Sequence, residues 1–158
     1  MRAYIALTTP EWISAIKALE EGNAIFWRKK QSFKAIDIGE KIYFLQRGSF
    51  SSNKERFVVG SGIFSGQEMI RAEEAWEKYG LLLGLKEKEL FLDSVKKMYK
   101  ESNPLLSCLQ LRNTKFYAVP VSLASANVDF SPYTVSGKII SEAECSAIEE
   151  LSCNDGIK

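Results

Sequence analysis

Histidine is missing altogether from the 158 residues. Its absence removes Ser-His and Cys-His nucleophile pairs, imidazole zinc ligation and imidazole acid–base chemistry together. Cysteine is scarce: Cys108, Cys145 and Cys153 are an odd number with no paired spacing, so a reduced, cytoplasmic setting is the simple expectation. No stretch approaches the roughly 20 apolar residues of a membrane span. The opening MRAYIALTTPEW has an apolar run too short for a secretory signal, with Glu11 close behind it, so no membrane partner is expected. Neither a GxxxxGK[ST] segment nor a GxGxxG segment occurs. The carboxylates sit mostly at helical spacing among lysines, which marks a solvated face. Neither catalysis, a metal nor a cofactor is expected.

What is present suits one domain. Hydrophobic residues make up 46% of the chain, enough for a real core at this length. Residues 1–151 read as that domain, and 152–158, ending in CNDGIK, as a tail or the start of a linker. A formal net charge of +1 argues neither for nor against a polyanionic partner, because a neutral protein can still carry a basic face.

The organising stretch is Gly39 to Gly66, two apolar strands around a polar loop. Lys41 to Gln46 is nearly continuous apolar sequence, as in a central strand covered on both faces. The return, RFVVGSGIFSG, carries Gly60 and Gly62, which weaken a strand unless its backbone bends or approaches something closely. Before this pair come a strand at Arg2 to Leu7, a helix capped by Thr8 or Thr9 with Pro10 in its first turn and ended by Gly22, and a strand at Ala24 to Trp27. Trp12, Ile16 and Leu19 mark that helix's apolar stripe. After Gly66, helical spacing links Met69, Ala72, Trp76 and Tyr79, with Gly80 as the stop. A second helix spans about Lys86 to Lys100, with Phe91, Val95 and Met98 facing inward. Strands at Leu105 to Leu111 and Lys115 to Val119 flank a turn at Arg112-Asn113-Thr114. Pro120 to Ser136 reads as irregular, with a short strand at Val128 to Phe130. Ser141-Glu142-Ala143-Glu144 opens the last helix as a capping box. This order predicts an α+β fold, a small mixed barrel of about five or six strands flanked by helices.

Trp27 closes its predicted strand at the start of a basic loop, Arg28-Lys29-Lys30-Gln31-Ser32-Phe33-Lys34. It either offers its ring to a planar ligand, with cations nearby for phosphates, or is a rim tryptophan beside a solvated charge run. Thr8 and Thr9 have hydroxyls suited to a base edge, although helix capping accounts for one of them. Gln46 and Arg47 end the central strand, and Ser49 and Lys54 lie in the loop beyond. Arg47 is either a phosphate contact or a surface arginine beside Glu55. Trp12 and Trp76 read as core.

These segments, in this order, resemble the EVE and YTH branch of the PUA-like superfamily. The resemblance runs from AYIALTTPEW through IFW, GEKIYFLQRG, VVGSGIFSG and AEEAWEKYG to LSCLQLRN. It is strongest to EVE-like domains fused to HNH nucleases in modification-dependent restriction enzymes. It implies a pseudo-barrel that admits a flipped-out modified base, of the 5-methylcytosine type, from DNA into an aromatic pocket. Trp27 matches the pocket tryptophan that follows the first helix, with Arg28 in place of the family's serine. Thr8 and Thr9 match the polar residues that end the first strand. Phe64 or Tyr79 stands for the second cage aromatic, and Gln46 joins the pocket set. Arg28, Lys29, Lys30, Lys34, Arg47, Ser49 and Lys54 form the expected backbone-binding set. An HNH motif needs histidine, so cleavage would fall to a fused or associated nuclease. An RNA reader of the same fold and a protein-interaction module are the alternatives.

Overall fold

The computed structural model describes residues 2–29, 33–46, 56–128 and 137–156. In chain order they form β1 (Ala3–Thr8), α1 (Pro10–Leu19), β2 (Asn23–Lys29), β3 (Lys41–Gln46), β4 (Phe57–Arg71), α2 (Ala72–Tyr79), a 3-10 turn (Gly80–Leu83), α3 (Lys88–Tyr99), β5 (Leu105–Ser122), β6 (Gly137–Ile140) and α4 (Glu142–Gly156). The six strands make one mixed sheet in the order β2-β5-β4-β3-β1-β6. β1 lies parallel to β3, and the other pairings are antiparallel.

Alternation along the strands sorts the core. Tyr4, Ala6, Ile42 and Phe44 pack with Trp12 and Ile16 of α1, while Ala3, Ile5, Leu7, Tyr43 and Leu45 pack with Ile148 of α4. β1 and β3 are therefore apolar on both faces, as the unbroken run at Lys41–Gln46 requires. A third cluster joins Ile25, Leu106 and Cys108 to Ala72, Ala75, Phe91 and Val95 of α2 and α3. Burial pushes the Cys108 thiol up to about 12, so it behaves as a small apolar side chain. Beneath α4, Lys41 and Tyr43 both bond Glu149.

The β3–β4 hairpin forms as expected, but several boundaries differ. Met69 belongs to β4, which runs on to Arg71, and its side chain is exposed. Strand pairing with β5 overrides the helical spacing there, with Met69 opposite Ser107. Met98 is likewise exposed, so α3 buries only Phe91 and Val95. The two strands expected between Leu105 and Val119 are one bent strand, β5. Asn113 takes a left-handed φ of 51°, which asparagine tolerates. Asn113 and Thr114 together face Gly62, so the expected turn is a bulge. β6 follows the stretch read as irregular, at residues for which no strand was expected. Val128 is not in a strand, and 129–136 lie outside the described residues. Gly80 ends α2 as expected, whereas α1 ends at a left-handed Glu20, ahead of Gly22. α4 opens with the reciprocal bonds of a capping box, Ser141 N to Glu144 Oε1 at 2.9 Å and Glu144 N to Ser141 Oγ at 3.1 Å. It continues to Gly156, so residues expected to begin a linker complete this helix.

Gly60 and Gly62 are closely approached. A Cβ on Gly60 would collide with the Lys115 carbonyl oxygen and meet Phe116 Cδ1 at 3.0 Å. A Cβ on Gly62 would find Leu111 Cβ and Phe44 Cζ at 3.3 Å. The first obstacle is backbone within a ladder and cannot rotate aside, whereas the second set is side chain. Gly60→Ala is therefore expected to cost about 1–3 kcal/mol, and Gly62→Ala clearly less. Thermal melting of the two variants checks this order. Equal melting temperatures would remove the Lys115 contact as the reason for Gly60.

Candidate nucleic-acid interface

A cavity of about 630 Å³ opens where the end of β1, the start of α1, the end of β2, the 3-10 turn and the end of α3 meet. Its volume lies within the roughly 300–1,000 Å³ of small-ligand sites. β1 and β2 are four steps apart in the sheet order, roughly 19 Å if the sheet were flat. Both line this one cavity, so the sheet curls around α1. Its bulged long strands supply the curvature.

The apolar wall is aromatic: Trp12, Phe26, Trp27 and Tyr99, with Leu83, Leu85 and Met98. Both indole N–H groups are committed to backbone. Trp12 Nε1 donates to the Ile25 carbonyl at 3.1 Å, and Trp27 Nε1 to the Leu83 carbonyl at 2.9 Å. Trp12 is buried and stands edge-on to Phe26 and Phe44, as its core reading required. Gly84 leaves room for it, since a Cβ there would run into the indole. Trp27 is half-buried and edge-on to Phe91 at 5.2 Å. Trp76 stacks on the same Phe91 at 6.0 Å.

β2 extends two residues past Trp27, so Arg28 and Lys29 are strand residues and Trp27 is mid-strand. Pairing with β5, Trp27 opposite Cys108 and Arg28 opposite Ser107, holds them there. The Arg28 guanidinium lies over the Phe33 ring at 5.6 Å, and its Nη1 is buried without a hydrogen-bond partner among the described residues. Lys29 and Lys34 are exposed.

Thr9 caps α1, its Oγ1 accepting from Trp12 N at 3.2 Å. Thr8 is buried, and its hydroxyl donates to the Leu45 carbonyl at 2.9 Å. Both threonines line the cavity, as does Glu11.

The structure thus brings together Trp27, Thr8, Thr9, Arg28 and Lys29. Phe64, Tyr79 and Gln46 do not line the cavity. Phe64 is core, edge-on to Phe33 at 5.3 Å. Tyr79 is held away by its own network, donating to Glu68 at 2.6 Å and accepting from Gln110 at 3.0 Å. Burial, then the Glu68 bond, raises its phenol above the usual range. Lys78 and Tyr79 in turn hold the Glu68 carboxyl below its own. Gln46 pairs with Thr8 at the strand ends. Lys30, Arg47, Ser49 and Lys54 lie outside the described residues.

Sequence reasoning set Trp12 aside as core and missed both Phe26 and Tyr99 as cavity aromatics; the least signalled of them is Tyr99. It is the last residue of α3, and nothing in its spacing sets it apart from a surface helix end. Burial raises its phenol above the ordinary value, with Arg28 acting in the opposite sense.

No protein-family model matches the chain, and no curated protein matches it. Solved structures do. The ASCH protein of Zymomonas mobilis superposes with a TM-score of 0.67 at 15% identity, over 94% of this chain and 94% of that one. Human THYN1, in complex with 5-methylcytosine-containing DNA, gives 0.54 at 16%, over 96% and 98%. A Pseudomonas syringae protein gives 0.53 at 16%, over 95% and 99%. The fold is PUA-like. At these identities the likeness extends to architecture alone.

Trp27 bridges the cavity and the α2–α3 core, so its removal costs stability as well as surface. Trp27→Phe keeps an aromatic ring but gives up the bond to Leu83, an expected loss of about 1 kcal/mol. Trp27→Ala is expected to cost about 3–5 kcal/mol. Chemical denaturation of both measures the difference. An alanine variant as stable as wild type would put Trp27 at a rim rather than in this packing.

Proposed function

We propose that this chain is a nucleic-acid reader domain of the EVE/YTH type, which takes a modified base of the 5-methylcytosine class from DNA into the cavity beside Trp27. The observation that carries this reading is the half-buried indole itself. It lines a ligand-sized cavity, its orientation is fixed by the bond to Leu83, and Lys29 stands at the mouth. Aromatic stacking of a base is worth roughly 1–3 kcal/mol, comparable to the few kcal/mol needed to flip one out of a duplex. Phosphate contacts from Lys29 and Lys34, joined by Lys30, Arg47, Ser49 and Lys54, would supply the remaining affinity. Human THYN1, of like fold, has been solved with 5-methylcytosine DNA, which supports the class of ligand.

A methyl group adds only about 0.8 kcal/mol on burial. Preference for the modified base therefore needs a dry wall around it, which the Phe26, Leu83 and Leu85 side supplies. In a modification-dependent restriction system this domain would be the reader. Cutting would come from a fused or associated HNH nuclease, because the chain has no histidine for that motif.

The test is a binding panel of identical duplexes bearing cytosine, 5-methylcytosine, 5-hydroxymethylcytosine or N6-methyladenine, with matched RNA as a further arm. The 5-methylcytosine duplex should bind tightest. Affinity should fall steeply with salt, and Lys29→Ala should reduce the slope by about one unit. Equal binding to all duplexes would overturn the modified-base reading. Tighter binding to RNA, lost with its 2′-hydroxyls, would move the function to RNA.

A further inference from the structure

The polar groups around the cavity present a definite set of donors and acceptors. Glu11 lines it with an exposed carboxylate that makes no hydrogen bond or ion pair among the described residues. An acid in a helix's first turn is favourable against the dipole anyway, but that does not require it to border a cavity. Thr9 Oγ1 already accepts from Trp12 N, which leaves its hydrogen free to donate. Thr8 has spent its hydrogen on the Leu45 carbonyl. Arg28 also lines the cavity and brings a cationic donor, with its Nη1 shut off from solvent and without a partner among the described residues. The free set is one acceptor and two donors.

The Watson–Crick edge of cytosine is the complement: an amino group that donates, and a ring nitrogen and a carbonyl oxygen that accept. Thymine carries the same methyl on the same ring but presents a carbonyl where cytosine has its amino group, and an N–H where cytosine has a lone pair. Adenine offers an amino donor and one acceptor, then a C–H, which leaves the second donor unmet.

We propose that Glu11, Thr9 and Arg28 read the edge of a flipped cytosine, Glu11 accepting from its amino group and Thr9 and Arg28 donating to its ring nitrogen and carbonyl oxygen. The cavity is then selective for 5-methylcytosine over thymine, and methyl recognition alone does not suffice. Arg28 moves from the backbone-binding set to base reading. This inference rests on the reader function proposed above.

The experiment compares oligonucleotides identical except for one base, 5-methylcytosine or thymine, each opposite guanine in duplexes and each also in single strands. The mispaired thymine flips more cheaply, so the single strands, where nothing is flipped, are the deciding arm. Wild type should prefer 5-methylcytosine by about tenfold or more. Glu11→Gln should lose most of that preference while melting like wild type, because an amide can turn its N–H toward the thymine carbonyl. Arg28→Met should weaken 5-methylcytosine binding without changing the salt slope. Equal binding of 5-methylcytosine and thymine by wild type, with both above unmodified cytosine, would overturn the edge reading and leave the methyl reader standing. A salt slope lowered by about one unit in Arg28→Met, with selectivity kept, would return Arg28 to the phosphate backbone and overturn its role here. No preference for any modified base would remove the reader function and this inference together.

Discussion

The structure depends on the antiparallel pairing of β4 with β5, which runs from Phe57 opposite Ser122 to Arg71 opposite Leu105. Each strand has a second partner, β3 for β4 and β2 for β5, so four of the six strands hang on this ladder. It is not straight. Its register shifts near Val59, Gly62 and Ser65, each shift adding twist and bend. The wide offset between Val58 and Gly60 also accommodates Pro120 within β5, where a regular ladder would have no place for it. Curvature of this kind brings β2 and β1 to one cavity despite their places in the sheet. Gly60 passes close under the Lys115 carbonyl within this ladder.

The cavity inherits its two characters from the elements that frame it. Its aromatic side is an extension of the cores against α1 and α3, so Trp12, Phe26 and Trp27 are set by packing before any ligand arrives. Binding to such a wall loses little side-chain entropy, because the rings have no freedom left to give up. Its polar side is the β1–α1 junction, where a strand ends, a helix starts, and Thr9 and Glu11 follow from helix-start chemistry. A capping residue and a first-turn acid thus acquire a second use because the sheet curls toward them. The third character, charge, comes from β2, whose last two residues are Arg28 and Lys29.

Much of this was legible in the residues. The apolar run Lys41–Gln46 could only be a strand covered on both faces, Thr9-Pro10-Glu11 could only start a helix, and the Ser141–Glu144 box forms as its spacing demands. Thr8 and Thr9 were legible because strand ends and helix caps are local features, whereas the curl of the sheet brings Trp27 to them. The misses are tertiary. Met69 and Tyr79 keep helical spacing, but pairing with β5 claims Met69 for a strand and the Glu68–Gln110 network holds Tyr79 away from the cavity. Phe64 looks like any aromatic near a strand end until Phe33 packs against it.

By itself, then, the sequence determined most of the element types, the double-faced burial of β3, and a chain that lacks every kind of imidazole chemistry. Those are consequences of short-range periodicity and of which side chains exist at all. Only the tertiary structure decided that β5 is one bent strand, that Tyr99 and Glu11 line the same cavity as Trp27, and that Arg28 lines it too. Each of these depends on contacts between residues far apart in the chain, made possible by the curl of a ladder whose bulges no local pattern announces.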